Sequence, residues 1–468
     1  GAGRRVTVLE REPQVGGRCG RLDIGGYAFD TGPTVLTMPD LIADALDCVG
    51  EHLEDWLELV SLDPIYRSHH ADGSVLDVLA DPEAMEVQVR AACGAAEADG
   101  YRRYVRFVSA LYRAEMRTFI DRNIDSPLDL ARPDLLRLAA LGGFRRLAPR
   151  VGSFLRDERL RRLLSFQAMY AGLSPYDALA IYAVIAYMDS VAGVFVPRGG
   201  MHALPQALAG AAGAHGVDIR CSTGASRLVV SSGRASAVEL EDGSLVTADA
   251  FVLTPDLPVA HRDLLGSTPR RVARQSYSPS CFLLLAGSTR AIGAAQHEIH
   301  FGRAWKETFA EIIDRGQLMS DPSFLVTRQS LSEPGLAPAG RQAYSVLFPT
   351  PNATAPIDWS VVGPRYRDEV LSVLADRGFA DLDVLDVTTP ADWKARGLEA
   401  GAPFAAAHTF RQTGPFRAPN LSRSVENVVF AGSGTTPGVG VPMVLISGRL
   451  AAERITGPDP SYRSRAWL

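Results

Sequence analysis

The chain is poor in cysteine and in long apolar runs, and each of these two shortages excludes a class of protein. Its five cysteines lie far apart and form no Cys-x-x-Cys pair, which argues against a disulfide framework and a zinc site and favours a reducing compartment. The best apolar run, residues 179–188, stops at Asp189, short of the roughly 18 residues that span a bilayer. No secretory signal peptide is recognisable. We therefore expect a cytoplasmic protein.

Neither sign of charge is in excess. The 48 basic and 53 acidic residues leave a net charge of −5 at pH 7, which argues against a nucleic-acid partner. With 46% hydrophobic residues, the 468-residue chain can bury a large core and is not disordered. Its length predicts about three structural units at roughly 150 residues each.

The first regular pattern is the run RVTVLE at residues 5–10. A strand that ends in a carboxylate is typical of a dinucleotide-binding βαβ unit, in which the acid accepts hydrogen bonds from the adenosine ribose. A strand of another kind that merely ends in glutamate is the alternative. The glycine fingerprint of such a unit lies about 20 residues before the acid, but Gly1 lies only nine positions before Glu10. We therefore interpret residues 1–3 as the end of a crossover helix and its turn, and expect the glycine loop to lie upstream.

Glycine-rich motifs follow at both ends of the chain. Gly16-Gly17-Arg18 and DTGPT at residues 30–34 come shortly after Glu10. Paired glycines let backbone approach a bulky ligand, and an arginine beside them can face a phosphate or a flavin edge. The loop GSGTTPGVG at residues 432–440 precedes a predicted helix, whose positive N-terminus suits a phosphate or the N1/O2 edge of a flavin. A simple glycine-rich turn is the alternative in each case.

Patterning along the rest of the chain predicts an interleaved organisation. Residues 83–190 are mostly helical, residues 217–253 read as strands, residues 266–404 are mixed, and the last segment reads as strand, loop and helix. A nucleotide-binding domain assembled from three sequence blocks, with a substrate domain between them, accounts for this order.

Five blocks carry a resemblance to a known family: VLEREPQVGGRCG, FDTGPTVLTMP, LSFQAMYAGLSP, VPRGGMHALPQAL and FAGSGTTPGVGVPMVLISGR. They are similar to the bacterial phytoene desaturase family, which are FAD-dependent carotenoid desaturases within the amine-oxidase-like flavoproteins. The resemblance extends to about Ile455. It implies an α/β fold with a Rossmann-type FAD-binding domain of glutathione-reductase type at residues 1–65, 197–265 and 405–457. The α+β substrate domain would occupy residues 66–196 and 266–404, and residues 458–468 would form a tail.

The resemblance also implies fourteen cofactor-binding positions. Glu10 would bind the ribose, and Ala225 would offer backbone to the adenine. The other twelve would line the pyrophosphate, the ribityl chain and the flavin: Arg11, Gly16, Gly17, Arg18, Gly32, Pro33, Thr34, Asp256, Gly432, Val441, Pro442 and Met443. The sequence departs from the family where Ala225 replaces the usual valine and Thr254-Pro255-Asp256 replaces Asn-Ala-Asp. Because the upstream glycine loop is not in the sequence, we expect the chain as given to hold FAD poorly.

The implied reaction is the desaturation of an acyclic carotenoid precursor, phytoene above others, by hydride transfer to flavin N5. Oxygen or a quinone would reoxidise the cofactor. The reaction requires a hydride acceptor, which side chains cannot be and flavin N5 can. Arg198 is the candidate for a polar catalytic participant, with a structural role as its alternative. Other readings are a desaturase or ketolase of another C30 or C40 carotenoid, an amine-oxidase-like enzyme, or a silent membrane-associated relative.

Two further patterns concern partners. His297 and His300 alternate in a strand, but two ligands do not predict a metal site, and we expect none. Residues 132–162 contain nine arginines against three acidic residues, interleaved with leucines, Phe144 and Phe154. Such a basic amphipathic surface can lie on an anionic bilayer, which is where a long hydrocarbon substrate is stored. We expect a peripheral association with the cell membrane; a solvated helical face is the alternative, and a homo-oligomer is left open.

Overall fold

The computed structural model describes residues 2–467, so the part of the N-terminal interpretation that concerns Gly1 lies outside the described residues. Ala2 has no regular secondary structure, and Gly3 forms a bend at φ +72°. Within this range the strands are β1 (Thr7–Leu9), β2 (Arg21–Ile24), β3 (Tyr27–Asp30), β4 (Leu59–Ser61), β5 (Tyr66–His69), β6 (Val75–Val78), β7 (Phe195–Pro197), β8 (Asp218–Arg220), β9 (Ala225–Ser231), β10 (Arg234–Leu240), β11 (Leu245–Thr247), β12 (Phe251–Leu253), β13 (Ser280–Ser288), β14 (His297–His300), β15 (Phe324–Arg328), β16 (Gln342–Thr350), β17 (Asp383–Thr388) and β18 (Val428–Phe430).

Four of the helices in the described residues begin at a side-chain cap. Asp81 accepts hydrogen bonds from two backbone N–H groups of the first turn of the helix Pro82–Cys93, and Thr389 and Asp392 form a capping box on the helix Pro390–Ala395. The helices are α1 (Asp40–Asp47), α2 (Leu53–Trp56), α3 (Pro82–Cys93), α4 (Ala95–Glu115), α5 (Pro133–Leu141), α6 (Leu147–Gly152), α7 (Glu158–Leu163), α8 (Val184–Ser190), α9 (Ala203–Ala214), α10 (Leu257–Val259), α11 (Arg270–Ala273), α12 (Trp305–Phe309), α13 (Trp359–Asp376), α14 (Pro390–Ala395) and α15 (Val441–Thr456).

Two parallel strand pairs join segments that are far apart in sequence. β1 pairs with β8, placing Thr7 opposite Asp218, and β12 pairs with β18, placing Phe251 opposite Val428. Parallel pairs require crossover connections, which are typical of α/β folds. The antiparallel sheet β11–β10–β9 shares a core with β12 and β18. The predicted α/β fold, with a domain assembled from separate sequence blocks, is confirmed.

A seven-stranded sheet forms the second part of the molecule, in the order β17–β13–β16–β15–β14–β5–β6. All nine residues of its β13 strand are buried, and α13 packs against the sheet through Trp359 and Tyr366. The predicted hairpin at residues 68–78 is present as β5–β6 and lies at one edge. The sequence pattern indicated β13, β14 and β16 but not β17, an edge strand in which apolar residues are mixed with three acidic or hydroxyl side chains.

The helices α3–α8 pack into one apolar core against the β5–β14 part of that sheet. Residues 464–467 contact both α1 and this unit: Ser464 Oγ donates to Asp44 of α1 at 2.6 Å, and Trp467 Nε1 donates to Asp121 at 2.7 Å. Across the described residues, none of the helices has both the length and the apolar character that a membrane crossing requires. The helical unit, the sheet and the parallel strand pairs together enclose the cavity described next.

Candidate active site

One continuous cavity of about 2340 Å³ is lined by residues from the beginning, middle and end of the chain. We call the part lined by residues 3–37, 223–264 and 432–444 the dinucleotide arm. The part lined by residues 115–144, 166–189 and 299–325, together with Tyr66, is the apolar arm. Pockets for one small molecule usually measure about 300–1,000 Å³, so this cavity has room for two large ligands at once.

The structure brings together all fourteen residues predicted to bind the cofactor. Each of them lines this cavity: Glu10, Arg11, Gly16, Gly17, Arg18, Gly32, Pro33, Thr34, Ala225, Asp256, Gly432, Val441, Pro442 and Met443. Their contacts with a cofactor remain predictions. The positions that depart from the family pattern, Ala225, Thr254 and Pro255, are at the cavity wall as well.

Glu10 lies directly after β1, with its backbone fixed on both sides. Its N–H donates to the Arg220 carbonyl at 2.9 Å, and its carbonyl accepts from Thr223 N at 2.8 Å. Its carboxylate accepts from Glu12 N at 2.8 Å and lines the dinucleotide arm. A carboxylate held at the end of a parallel strand is suited to accept hydrogen bonds from two ribose hydroxyls.

Arg18 connects the three sequence blocks. Its guanidinium donates to both carboxylate oxygens of Asp256 at 2.9 Å and to Ser433 Oγ at 3.2 Å. Asp256 also accepts from Glu399 N at 2.9 Å and is only 5% exposed. The carboxylate of Asp256 is therefore occupied by protein groups, and its effect on a ligand is exerted through the position of Arg18.

The glycines of the first two motifs allow their loops to touch. A Cβ atom on Gly32 would lie 1.7 Å from the carbonyl oxygen of Arg18. Gly16 has φ +120°, and a Cβ atom there would lie 2.5 Å from the Cys19 carbonyl oxygen. Only glycine permits such backbone contacts, so the Gly-Gly-Arg and DTGPT motifs form one packed unit beside the cavity.

The loop 432–440 leads into the N-terminus of α15, which no side chain caps. Its first residues line the cavity, and a helix terminus of this kind offers free N–H groups and a partial positive charge to an electron-rich ligand. Arg417, which the sequence analysis missed, holds the loop in place. Its buried guanidinium donates to the carbonyls of Ser433 at 2.6 Å and Thr435 at 2.8 Å. Burial lowers the pKa of Arg417 to about 10, so it stays charged at neutral pH.

Asp30, in the DTGPT motif, is a second residue whose role the sequence did not reveal. Its buried carboxylate accepts from Met201 N at 2.8 Å and His202 N at 3.1 Å, at the start of α9. Burial raises the pKa of Asp30, and the two backbone hydrogen bonds oppose that rise. Asp30 thus joins the first block of the dinucleotide arm to the Pro-Arg-Gly-Gly-Met turn.

The structure does not bring Arg198 to the cavity, which corrects the expectation of a catalytic arginine there. The turn after β7 directs its side chain outward, where it is 49% exposed. Its guanidinium pairs with Glu58 at 3.1 Å and Glu333 at 2.9 Å. Arg198 therefore connects surface segments, in agreement with the structural alternative.

The histidines of β14 point to different surroundings. His297 contacts Thr327 Oγ1 through Nδ1 at 3.1 Å, whereas His300 lies near His69 and Glu298. The rings of His69 and His300 are stacked, with centroids 4.4 Å apart and planes within 3°. One potential ligand atom from each of His69, Glu298 and His300 lies within 4.8 Å of the other two, and His69 Nε2 contacts Glu298 Oε2 at 2.8 Å. The sequence pattern of His297 and His300 did not reveal this group.

The apolar arm is lined mainly by aliphatic and aromatic side chains. They include Phe119, Ile124, Leu135, Phe144, Phe166 and Met188. The ring of Phe166 makes an edge contact with Tyr66 at 5.9 Å and with Tyr170 at 5.7 Å. Two carboxyl groups line this arm in the described chain, those of Asp189 and Glu115. An apolar channel of this kind suits a long hydrocarbon and excludes water.

The residues present fit FAD. A strand-end carboxylate for the ribose, a glycine-lined approach for the pyrophosphate and an uncapped helix N-terminus for the flavin edge all face one arm. These are the contacts on which dinucleotide sites depend. The second arm leaves separate space for a substrate.

Comparisons with known proteins identify the family to which the chain belongs. The sequence profile described as flavin containing amine oxidoreductase matches residues 1–456. The chain belongs to this family. It is an FAD-dependent oxidoreductase of the phytoene desaturase type, and the resemblance of its sequence blocks is confirmed.

Two relatives are similar over nearly the whole chain. A phytoene dehydrogenase from Streptomyces griseus is 56% identical over 466 residues, which cover 98% of this chain and 92% of that protein. A zeta-carotene-forming phytoene desaturase from Myxococcus xanthus is 35% identical, covering 96% and 89%.

Solved structures share the fold at low sequence identity. An oxidoreductase from Methanosarcina mazei has a TM-score of 0.62 at 15% identity, covering 97% of this chain and 95% of that one. A putrescine oxidase has a TM-score of 0.59 at 15% identity, covering 97% and 94%. These likenesses show the fold alone.

Proposed function

We propose that this protein is a phytoene desaturase of carotenoid biosynthesis. The observation that carries the proposal is the 56% identity, over 98% of the chain, to a phytoene dehydrogenase. The apolar arm supports it independently, because a cavity lined by side chains such as Leu135, Phe166 and Met188 offers little to a polar substrate.

Desaturation removes a hydride and a proton from adjacent carbon atoms. FAD supplies the hydride acceptor when it is bound, since no side chain can take this role. The residues of the chain bind and orient the reactants. Glu10 and the N-terminus of α15 hold the two ends of the dinucleotide, while the apolar arm places the hydrocarbon beside it and excludes water.

The substrate enters from a membrane surface in this proposal. Phe144 both lines the apolar arm and is 46% exposed, which places it at the mouth of the cavity. Leu128 (82% exposed) and Leu136 (74% exposed) lie in the same segment. Exposed apolar side chains at a channel mouth provide a path for a hydrocarbon that avoids water.

The basic residues around the mouth support the same orientation. Arg132, Arg137, Arg145 and Arg146 are exposed and suited to anionic headgroups. Not every arginine of residues 132–162 is available: Arg150 lies over the rings of Phe107 and Phe154, both at 4.7 Å. The proposed membrane-facing surface is therefore residues 128–146. The sparse cysteines, which favour a reducing compartment, support an orientation on the cytoplasmic side.

The test uses purified protein loaded with FAD and mixed anaerobically with phytoene in liposomes. We expect the oxidised flavin absorbance to be lost and a product with a longer polyene to appear in chromatography. Admitting oxygen or a quinone afterwards identifies the acceptor that restores the oxidised flavin. Protein that binds FAD stoichiometrically and is bleached by dithionite, but forms no product and keeps its flavin oxidised with phytoene, would contradict the proposal.

A further inference from the structure

Asp189, near the end of α8, is a buried carboxyl group in the apolar arm. It is 2% exposed, lines the cavity and forms no ion pair with a described residue. Oδ1 accepts a hydrogen bond from Ser190 Oγ at 2.7 Å, whereas Oδ2 has no hydrogen-bond partner among the described residues. A carboxylate oxygen left without a partner in an apolar site is costly, so its presence calls for a functional reason.

The titratable groups that face Asp189 are phenols from three other elements. They are Tyr66 on β5, Tyr104 on α4 and Tyr170 in the 3₁₀ turn at residues 166–171. Burial raises the pKa of each phenol well above its usual value, so all three stay neutral. The amide of Gln167, 2% exposed, lies beside them. The polar groups around Asp189 therefore include the three phenol hydroxyls and the amide of Gln167.

Burial raises the pKa of Asp189 to about 7, and the hydrogen bond from Ser190 limits the rise. Both protonation states are thus populated near neutral pH. Glu115, the other carboxyl group of this arm, has its pKa raised well above the usual range by burial alone. The ionised carboxylate of Asp189 is able to accept a proton at neutral pH.

A path of contacts connects Asp189 to Thr34 of the DTGPT motif. Thr327 Oγ1 lies 3.4 Å from Thr34 Oγ1 and 3.1 Å from His297 Nδ1. The His297 ring lies 5.8 Å from that of Tyr66, which faces Asp189. Burial lowers the pKa of His297 to about 3, so this path brings no positive charge to the carboxylate. Three side chains, those of Thr327, His297 and Tyr66, thus lie between Thr34 of the DTGPT motif and Asp189.

We propose that Asp189 is the catalytic base of the desaturation, with Oδ2 as the proton acceptor. The inference rests on the proposed function. One carbon of the substrate gives up hydrogen with its electron pair to FAD, and the adjacent carbon loses a proton to Oδ2. The electron pair of the second C–H bond becomes the new π bond. The proton leaves Asp189 for solvent between turnovers, which resets the carboxylate.

The experiment compares FAD-loaded wild type, Asp189→Asn and Asp189→Glu, with Glu115→Gln as the matched control. The readout is the anaerobic rate of flavin reduction by phytoene in liposomes from pH 5.5 to 8.5, together with the FAD content of each protein. We expect Asp189→Asn to keep its FAD and to lose about 100-fold or more in rate, as removal of a general base usually does. Asp189→Glu should recover part of that loss with a displaced pH profile.

The pH profile distinguishes a base from a structural residue. The wild-type rate should fall below pH 7, about tenfold per unit, because only the ionised carboxylate accepts the proton. The Glu115→Gln variant should show the same fall in rate below pH 7, whatever its maximal rate. A wild-type rate that does not vary with pH, or an Asp189→Asn protein with full FAD and a rate within twofold of wild type, would overturn the assignment. A wild type whose flavin phytoene does not reduce would overturn the proposed function and this assignment with it.

Discussion

The Arg18 guanidinium meets both carboxylate oxygens of Asp256 at 2.9 Å, although 238 residues separate them in the chain. The pair is asymmetric, since the Asp256 side chain is 3% exposed and that of Arg18 is 34% exposed. A contact to Ser433 at 3.2 Å adds the third sequence block. The orientation of one arginine thus depends on three distant segments, and all three line the dinucleotide arm.

Replacement of Asp256 should raise the Kd for FAD. In Asp256→Ala the guanidinium loses its buried partner, which typically costs about 3–5 kcal/mol for a buried pair and less for one that is partly exposed. We expect the Kd for FAD to rise at least tenfold, measured by flavin fluorescence titration. Arg290→Ala is the control, since Arg290 and Asp381 form a surface pair with side chains 72% and 50% exposed. An unchanged Kd in Asp256→Ala would contradict the proposed role of Arg18.

Glu10 can be tested by a change of ligand instead of a second variant. If its carboxylate binds the adenosine ribose, Glu10→Gln should raise the Kd for FAD and leave that for FMN, which has no adenosine, unchanged. The loss of charge-assisted hydrogen bonds predicts about a tenfold effect on FAD. Titration calorimetry with the two ligands makes the comparison. Equal effects on FAD and FMN would assign Glu10 to the fold and not to the ribose.

The motifs of the dinucleotide arm were predictable because each is local. Within a few residues, the local sequence indicates the backbone geometry of the strand that ends at Glu10, of the glycines before Arg18 and of the loop before α15. All three features lie at the cavity. The sequence also indicated the strands of the large sheet from their apolar runs. Local chemistry and the family resemblance were sufficient for these features.

Other features depend on contacts that no local pattern encodes. Arg198 follows a family motif, yet its turn points it outward toward Glu58 and Glu333. Asp30 is unremarkable in sequence until Met201 and His202 donate to it from 171 and 172 residues away. The burial of Asp189 likewise results from β5, α4 and α8 meeting in three dimensions.

The proposed membrane-facing surface predicts the outcome of a vesicle-binding measurement. Leu136→Asp combined with Phe144→Asp should reduce sedimentation with anionic liposomes, because each change places a negative charge where apolar side chains meet the lipid. Val361→Asp is the matched control, as Val361 is 64% exposed on α13 in the other part of the molecule. Equal binding by the double variant and the control would exclude residues 128–146 as the contact surface.

Asp189 should also reduce stability at neutral pH, which gives a prediction independent of activity. Its folded-state pKa of about 7 lies above the value for an exposed carboxyl group, so the folded protein binds the proton more tightly than the unfolded chain does. This contribution to stability is fully present at acid pH, below the unfolded pKa, and is lost as pH rises toward 7. Asp189→Asn has no such titration. Its free energy of unfolding relative to wild type should therefore increase by about 3 kcal/mol from pH 4.5 to pH 8, in denaturant titrations at each pH. Because surrounding carboxyl groups titrate in both proteins, the difference in their free energies of unfolding isolates the contribution of Asp189. A difference that is constant with pH would show that burial does not raise the pKa of this carboxyl group.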